Sequence, residues 1–393
     1  MKILCVDTTM DGHIVGGAHT FLVQLMAGLT DAGREVHFLS KGDPVAKSAA
    51  GIENSGSVIH RDVWTGDVLV DDATPDVAKW VNDLRPDVYV VSVSSDIGWT
   101  IMPYLDPRIA TLTIGHNDQE TFYAPVRHYR KFLTRAIGVS DEICRKYVDE
   151  CGMPADGVEW IPYGVETSDA APWTSLTGPL RLVYVGRFEN EQKRISDVVA
   201  VIKKLSESGI DFEFDLVGDG VEMPNVRSAL SGFDNVRIHG WLEAERVIDT
   251  MRASEVVLLA SAYEGFCISL TEAMANGCTP VVSDIRSGNK QLVRDGENGY
   301  VVTIGDVDAF VARIRALAKD RDRLSVMRRA AWETGREYGI DRMVENYVSC
   351  FERAIEDARS NPRKQDANFP LMESCRSRYP LWLRRIKARV SSF

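Results

Sequence analysis

The sequence predicts two α/β domains, each a doubly wound parallel sheet of Rossmann-like type with helices on both faces. Three observations carry this. Short apolar runs alternate with stretches of helical periodicity, the pattern of βα units joined by right-handed crossovers. That rhythm pauses once, over about residues 165–179, and then restarts. The length, 393 residues, fits two domains at about 150 residues each.

The elements follow in order. Residues 2–6 form a short apolar run with β-branched content, a first strand. A turn-like stretch ends in Gly16-Gly17. Phe21, Leu22, Leu25, Met26 and Leu29 then recur at helical spacing over residues 19–29, Gly33 stops that helix, and residues 35–39 read as the next strand. Residues 88–93 are continuously apolar, as a strand covered on both faces must be. Residues 110–114 and 136–139 are shorter versions. The pause holds Ser, Thr, Asp, Pro and Gly without periodicity and reads as a linker. Beyond it, strands are expected at 182–185, 212–217, 256–259 and 279–283, the second of them ending in Gly218-Asp219-Gly220. Helices are expected at 195–205, near 269–276, and at 307–318, 321–337 and 342–358. The expected domains are therefore 1–168 and 176–373, facing a cleft.

Composition bounds the function. Lys and Arg number 46 against 57 Asp and Glu, a net charge of −11. Apolar residues at 45% and charged residues at 26% are ordinary for a globular chain and exclude a disordered or fibrous one. Net acidity argues against nucleic acid as a partner, since such binding needs a basic field to displace counterions. No run approaches the roughly 18 apolar residues that span a bilayer. Asp7 interrupts the N-terminal apolar run, which fits a buried first strand better than a signal peptide. The 7 cysteines are dispersed and never spaced C-x-x-C, which fits reduced thiols in a cytoplasmic protein and neither a disulfide framework nor a zinc site. The tail, 374–393, carries Arg376, Arg378, Arg384, Arg385, Lys387 and Arg389 and no acidic residue, with Leu381, Trp382 and Ile386 as an apolar stripe. Two readings stay open: a basic amphipathic helix over 376–389 in peripheral contact with the inner membrane face, or a helix packing back on the first domain with Pro380 in its first turn.

The most informative segment runs from Ser261 to Gly277: strand end, glycine turn, helix start. The amides of Phe266, Cys267, Ile268 and Ser269 would be the unpaired donors of that helix, a ready anion site. Glu264 lies in the turn and Glu272 inside the helix. The first could face a ligand and the second could reach a sugar hydroxyl. On spacing alone, two rim glutamates and a turn glycine, Gly265, explain the segment equally well.

With its surroundings this segment closely resembles the signature of retaining GT-B glycosyltransferases, glycosyltransferase family 4. The match rests on Tyr263-Glu264-Gly265-Phe266, then Thr271-Glu272-Ala273-Met274-Ala275-Asn276-Gly277. Gly186-Arg187-Phe188 with Lys193 resembles the family's diphosphate segment. Gly218-Asp219-Gly220, Ile238-His239-Gly240-Trp241 and Asp295-Gly296-Glu297-Asn298-Gly299 match later landmarks. Gly16-Gly17, His116, Val139-Ser140 and Ile161-Pro162-Tyr163-Gly164-Val165 match earlier ones. The resemblance spans about residues 1–358 and is stronger in the second half.

The resemblance implies a GT-B fold and a glycosyltransferase of the hexosyltransferase type, with a nucleotide-sugar donor, UDP-sugar favoured, and a glycan, lipid or small-molecule acceptor on the first domain. Arg187 and Lys193 would neutralise the donor diphosphate, whose charge grows as the glycosidic bond breaks. Most such charges are surface residues without function, but these follow a strand end, where α/β ligands bind. Glu264 would contact the donor sugar and Glu272 the ribose. The amides from Phe266 through Cys267, Ile268, Ser269 and Leu270 would hold phosphate. Gly186 would border the nucleotide, and Gly218 and the 238–241 loop with Trp241 the base. Gly17 would allow close backbone approach, and Gly16 reads equally well as an ordinary turn glycine. His116 would stand beside the reacting sugar, with Asp118 orienting it or touching acceptor.

Such enzymes retain anomeric configuration, and a same-face substitution in which the leaving phosphate helps remove the acceptor proton is the usual proposal. Neither metal nor cofactor is implied, and no His/Cys/Asp cluster has ligand spacing. Two departures stand out. Gln291 falls where relatives often carry Glu, and Cys267 replaces a frequently small residue and reads as packing. The alternatives are a non-catalytic nucleotide-sugar binding module, a nucleotide-sugar epimerase or a phosphorylase of the same fold. A nicotinamide dehydrogenase is disfavoured, because no G-x-G-x-x-G follows the first strand.

Overall fold

The computed structural model describes residues 1–7, 16–40, 58–61, 70–93, 96–171, 178–286 and 288–372. The tail 374–393, with its two readings, and Ser287 lie outside them.

The chain divides into two compact units. The first comprises residues 1–138 and 144–159 and the described chain from 344 onward; the second comprises 139–143 and 160–343. Both joins differ from the expected 1–168 and 176–373. Ile161 to Val165 belong to the second unit, where the Val165 amide donates to Tyr338 O at 2.8 Å and the Val165 carbonyl accepts from Ile340 N at 3.2 Å. At the other join a single helix, Ile340–Ser360, starts in the second unit and continues in the first. There Tyr347 packs on Phe21 with ring centroids 5.7 Å apart. Residues beyond that helix cross the first unit. Asp366 N donates to Pro103 O at 2.9 Å, and the Phe369 ring sits 4.9 Å from that of Phe132.

The first unit holds a seven-stranded sheet of β1 (Lys2–Asp7), β2 (Glu35–Ser40), β3 (Val58–Arg61), β4 (Val88–Val91), β5 (Ala110–Gly115), β6 (Arg135–Gly138) and β7 (Val158–Trp160), ordered β3-β2-β1-β4-β5-β6-β7. Strand β1 pairs in parallel with both β2 and β4, so Ile3 lies between Val36 and Val88. Every residue of β4 and β5 is buried. Burial on both faces explains their continuous apolar runs. The order reverses between β1 and β4.

The second unit holds a six-stranded sheet of β8 (Leu180–Val185), β9 (Phe212–Val217), β10 (Val236–Gly240), β11 (Val256–Leu259), β12 (Thr279–Ser283) and β13 (Tyr300–Val302), ordered β10-β9-β8-β11-β12-β13. Its pairings are parallel, and the order reverses between β8 and β11. In open α/β sheets ligands bind beyond the carboxyl ends of strands at such a reversal. The loops after β8 and β11 carry Arg187 and Glu264.

Residues 238–240, expected as loop, are the end of β10, with Trp241 just beyond. The strand pairs with β9 alone, and none of its residues is fully buried. Such an edge strand lacks the continuous apolar run that marks β4 or β11.

Candidate active site

The β8 strand ends at Val185, and Gly186 leads into an exposed Arg187. Tyr184, fully buried near the end of β8, donates its hydroxyl to Arg187 O at 2.8 Å and fixes the turn. The loop then folds around Glu189. Both of its carboxylate oxygens accept main-chain amides, from Gln192 at 3.0 Å and Lys193 at 2.8 Å. Arg194 follows in a left-handed conformation, φ 49°, as the cap of helix Ile195–Glu207. These contacts deliver Gln192 and Lys193 to the end of the neighbouring strand, β11.

There Glu264 sits 6% exposed. Lys193 Nζ lies 2.5 Å from Glu264 Oε1, and Gln192 Nε2 donates to Glu264 Oε2 at 3.1 Å. Gln192 Oε1 in turn accepts from Arg187 Nη2 at 2.7 Å. Arg187, Lys193 and Glu264, singled out from the sequence, thus form one connected cluster, and Gln192, not anticipated, joins them. Burial disfavours the Lys193 ammonium, but the Glu264 carboxylate outweighs it and holds the lysine above its usual pKa.

Helix Ile268–Ala275 starts beside this cluster in sequence, with Cys267 as its cap residue and no side-chain capping bond. Its first amides include those of Ile268, Ser269 and Leu270, and no acidic side chain occupies the first turn. Phe266 and Cys267 are buried. The Phe266 ring lies between Tyr163, 6.1 Å away, and Tyr338, 5.3 Å away, so its side chain is core and its backbone lines the turn. Burial, reinforced by Glu264, pushes the Cys267 thiol up. The thiol meets Ser269 Oγ at 3.4 Å. Gly265 O accepts from Gly288 N at 2.9 Å.

Glu272 is not joined to the cluster by any hydrogen bond among the described residues. Burial, with Glu166 as a like charge, pushes its carboxyl up to about 7. Gly218 has φ 134°, and a Cβ there would overlap the Gly186 carbonyl oxygen. The two glycines are thus a forced backbone contact between the ends of β8 and β9. Trp241 is 67% exposed, and Gly240 O accepts from Gly218 N at 2.8 Å, which sets Trp241 beside the Gly218 turn.

The first unit carries its own group at the ends of β4 and β5. His116 is buried, its Nε2 2.9 Å from Ser92 Oγ, with the Phe21 and Phe122 rings at 5.5 and 6.5 Å. Burial, then the charge of His19, push the imidazole down to about 3, so it is neutral at physiological pH. His19 Nε2 lies 3.8 Å from Asp7 Oδ2. Asp118 is engaged elsewhere: its Oδ1 accepts from Tyr123 OH at 2.7 Å and Lys146 Nζ at 2.6 Å. Of the glycine pair, Gly16 is the one with a special backbone, φ 137°, as cap of helix Gly17–Asp31; Gly17 is that helix's exposed first residue.

No group of three or more His, Cys, Asp or Glu is placed to hold a metal ion among the described residues. Nor is any described helix long and apolar enough to cross a membrane.

Comparison with known proteins agrees with this geometry. Residues 15–169 match the family model described as Glycosyltransferase Family 4, and residues 166–334 match that described as Glycosyl transferases group 1. The phosphatidyl-myo-inositol mannosyltransferase of Mycolicibacterium smegmatis is 26% identical over 331 residues, covering 78% of this chain and 82% of that protein. The lipopolysaccharide 1,6-galactosyltransferase of Salmonella typhimurium is 31% identical over 190 residues, 46% of this chain and 50% of that protein. Among solved structures, the lipopolysaccharide outer core galactosyltransferase WaaB superposes with a TM-score of 0.70 at 18% identity, over 90% of this chain and 99% of that one. HepE of Anabaena superposes with a TM-score of 0.69 at 16% identity, over 90% and 100%. Two consecutive family matches, two parallel-sheet units and the shared fold give one conclusion: the chain is a GT-B glycosyltransferase, built of a Glycosyltransferase Family 4 domain followed by a Glycosyl transferases group 1 domain.

Proposed function

We propose that the enzyme transfers a sugar, with retention of configuration, from a nucleotide-sugar donor to a glycan or lipid-linked acceptor, and that the donor is a UDP-sugar. The observation that carries this is the Glu264 carboxylate, held on one oxygen by Lys193 and on the other by Gln192, which also holds Arg187. Two cations at one strand end suit a diphosphate whose charge grows as it leaves, and fixed charges in a partly dry site act strongly. This role needs no metal ion. The role proposed for Glu264 is to accept, through the remaining lone pairs of its carboxylate, from a sugar hydroxyl. Glu272, with its pKa near 7, can donate a hydrogen bond to a ribose hydroxyl when protonated and accept one when ionised. The amides at the start of helix Ile268–Ala275 suit a phosphate oxygen. For His116, neutral and oriented by Ser92, the proposed role is a hydrogen bond to the reacting sugar or acceptor. The leaving phosphate then takes the acceptor proton.

Relatives support this choice of donor and acceptor classes. HepE has been solved in complex with UDP and with UDP-glucose, and the pneumococcal O-GlcNAc transferase GtfA in complex with UDP and GlcNAc. The curated relatives include the phosphatidyl-myo-inositol mannosyltransferase and the lipopolysaccharide galactosyltransferase, whose names specify lipid-linked acceptors. The described cysteines are free and all but Cys144 are buried, which fits a cytoplasmic enzyme.

The test is incubation with UDP-, GDP- and ADP-sugars and an acceptor panel, following nucleotide release and assigning the product anomer by NMR. Release from a UDP-sugar and an unchanged anomer are expected. An inverted product removes retention, preference for another base removes the UDP assignment, and binding without turnover across the panel favours a binding module.

A further inference from the structure

Gln192 is committed at every polar atom. Its main-chain N–H donates to Glu189 Oε2 at 3.0 Å, and its carbonyl accepts from Ala262 N at 2.7 Å, two residues before Glu264. Its side-chain oxygen accepts from Arg187 and its side-chain nitrogen donates to Glu264. Chemistry fixes that orientation. A guanidinium has no acceptor and an ionised carboxylate no donor, so the flipped amide would oppose like to like on both sides. The residue is 8% exposed, so these bonds act where water screens them little.

An arginine that reaches a carboxylate directly tends to pair with it through two parallel hydrogen bonds, which satisfies both charges. Here a neutral amide stands between them. Glu264 keeps one direct cation, Lys193. Arg187 remains exposed, with donors beyond the one spent on Gln192. We propose that Gln192 is a positioning residue: by separating Arg187 from Glu264 it keeps the guanidinium turned to the leaving diphosphate of the donor. This rests on the nucleotide-sugar reading above.

The test is calorimetric titration of the full chain. UDP, GDP and ADP are first titrated into the wild type. The nucleotide that binds, and its monophosphate, are then titrated into Q192M and Q192E. Methionine matches glutamine in length but makes neither hydrogen bond, so Q192M should raise the diphosphate Kd about tenfold and the monophosphate Kd no more than about twofold. Q192E gives a signature that packing alone does not. Protonated, the new carboxyl presents an acceptor and an O–H donor as the amide does; ionised, it sets a like charge against Glu264. Its Kd relative to wild type should be smallest on the acid side, at about pH 5, and rise to about tenfold or more by about pH 8. Taking the ratio at each pH removes the titration of the nucleotide itself. If both variants bind within about twofold of wild type at every pH, with only the melting temperature lowered, the proposal is overturned. If Q192M does not fold, the pH dependence of Q192E decides alone. A wild type that binds none of the three nucleotides is a different failure, and it removes the nucleotide-sugar reading itself.

Discussion

Lys193 Nζ stands 2.5 Å from Glu264 Oε1, joining loops that leave neighbouring strands β8 and β11 of the second unit. Both side chains are nearly excluded from solvent, at 12% and 7% exposure. Removing one partner of such a pair leaves the other charge buried and uncompensated. Lys193→Met should therefore cost about 3 kcal/mol of stability, because a broken buried pair is far more costly than a surface one. Urea denaturation of the variant checks this; a loss below about 0.5 kcal/mol, in the range of a surface pair, would show the two charges to be uncoupled.

Glu272 gives a prediction with a sign. Its folded pKa, about 7, lies above the ordinary 4.5, so the folded state holds the proton more tightly than the unfolded one. The stability this contributes is complete below about pH 4.5 and is lost as pH rises through about 7. Glu272→Gln should remove that slope, leaving the variant with a flatter melting temperature between these limits. Equal slopes in variant and wild type would contradict it.

His116 behaves in the opposite way. Its folded pKa is depressed from 6.5 to about 3, so the unfolded chain takes up a proton that the folded chain refuses. Stability is full above about 6.5 and falls as pH drops toward 3. His116→Asn should reduce the pH slope of unfolding free energy in that window by about 1.4 kcal/mol per pH unit, the value for one proton. An unchanged slope would mean that the imidazole is charged in the folded protein.

Gly218 tests the backbone of the same region. Its φ of 134° and the Gly186 carbonyl leave no room for a Cβ. Gly218→Ala should cost about 2–4 kcal/mol, since both the conformation and the contact oppose it. Because the strain falls between β8 and β9, nucleotide affinity should fall with it. A variant with wild-type stability and binding would show that the turn tolerates a side chain.

Much of this was legible in the sequence, and the reasons are specific. Strands β4 and β11 are buried on both faces and show as unbroken apolar runs, whereas edge strand β10 does not. Arg187, Lys193 and Glu264 stand out in the sequence because each follows a strand end in a recognisable context. Gln192 could not, because its role depends on Glu264, 72 residues later and one strand across. By sequence Asp118 is a near neighbour of His116, whereas its bond to Lys146 spans 28 residues that no local pattern connects. The boundary of the second unit escaped for another reason: helix Ile340–Ser360 runs through it without a break in periodicity.

The most direct test of the central claim is nucleotide release from a UDP-sugar by the wild type, Arg187→Ala and Glu264→Ala, with folding followed by circular dichroism. The account predicts turnover by the wild type and a loss of at least about a hundredfold in each folded variant, the scale seen when one preorganised charge-stabilising group is removed. Full activity in either variant would contradict it.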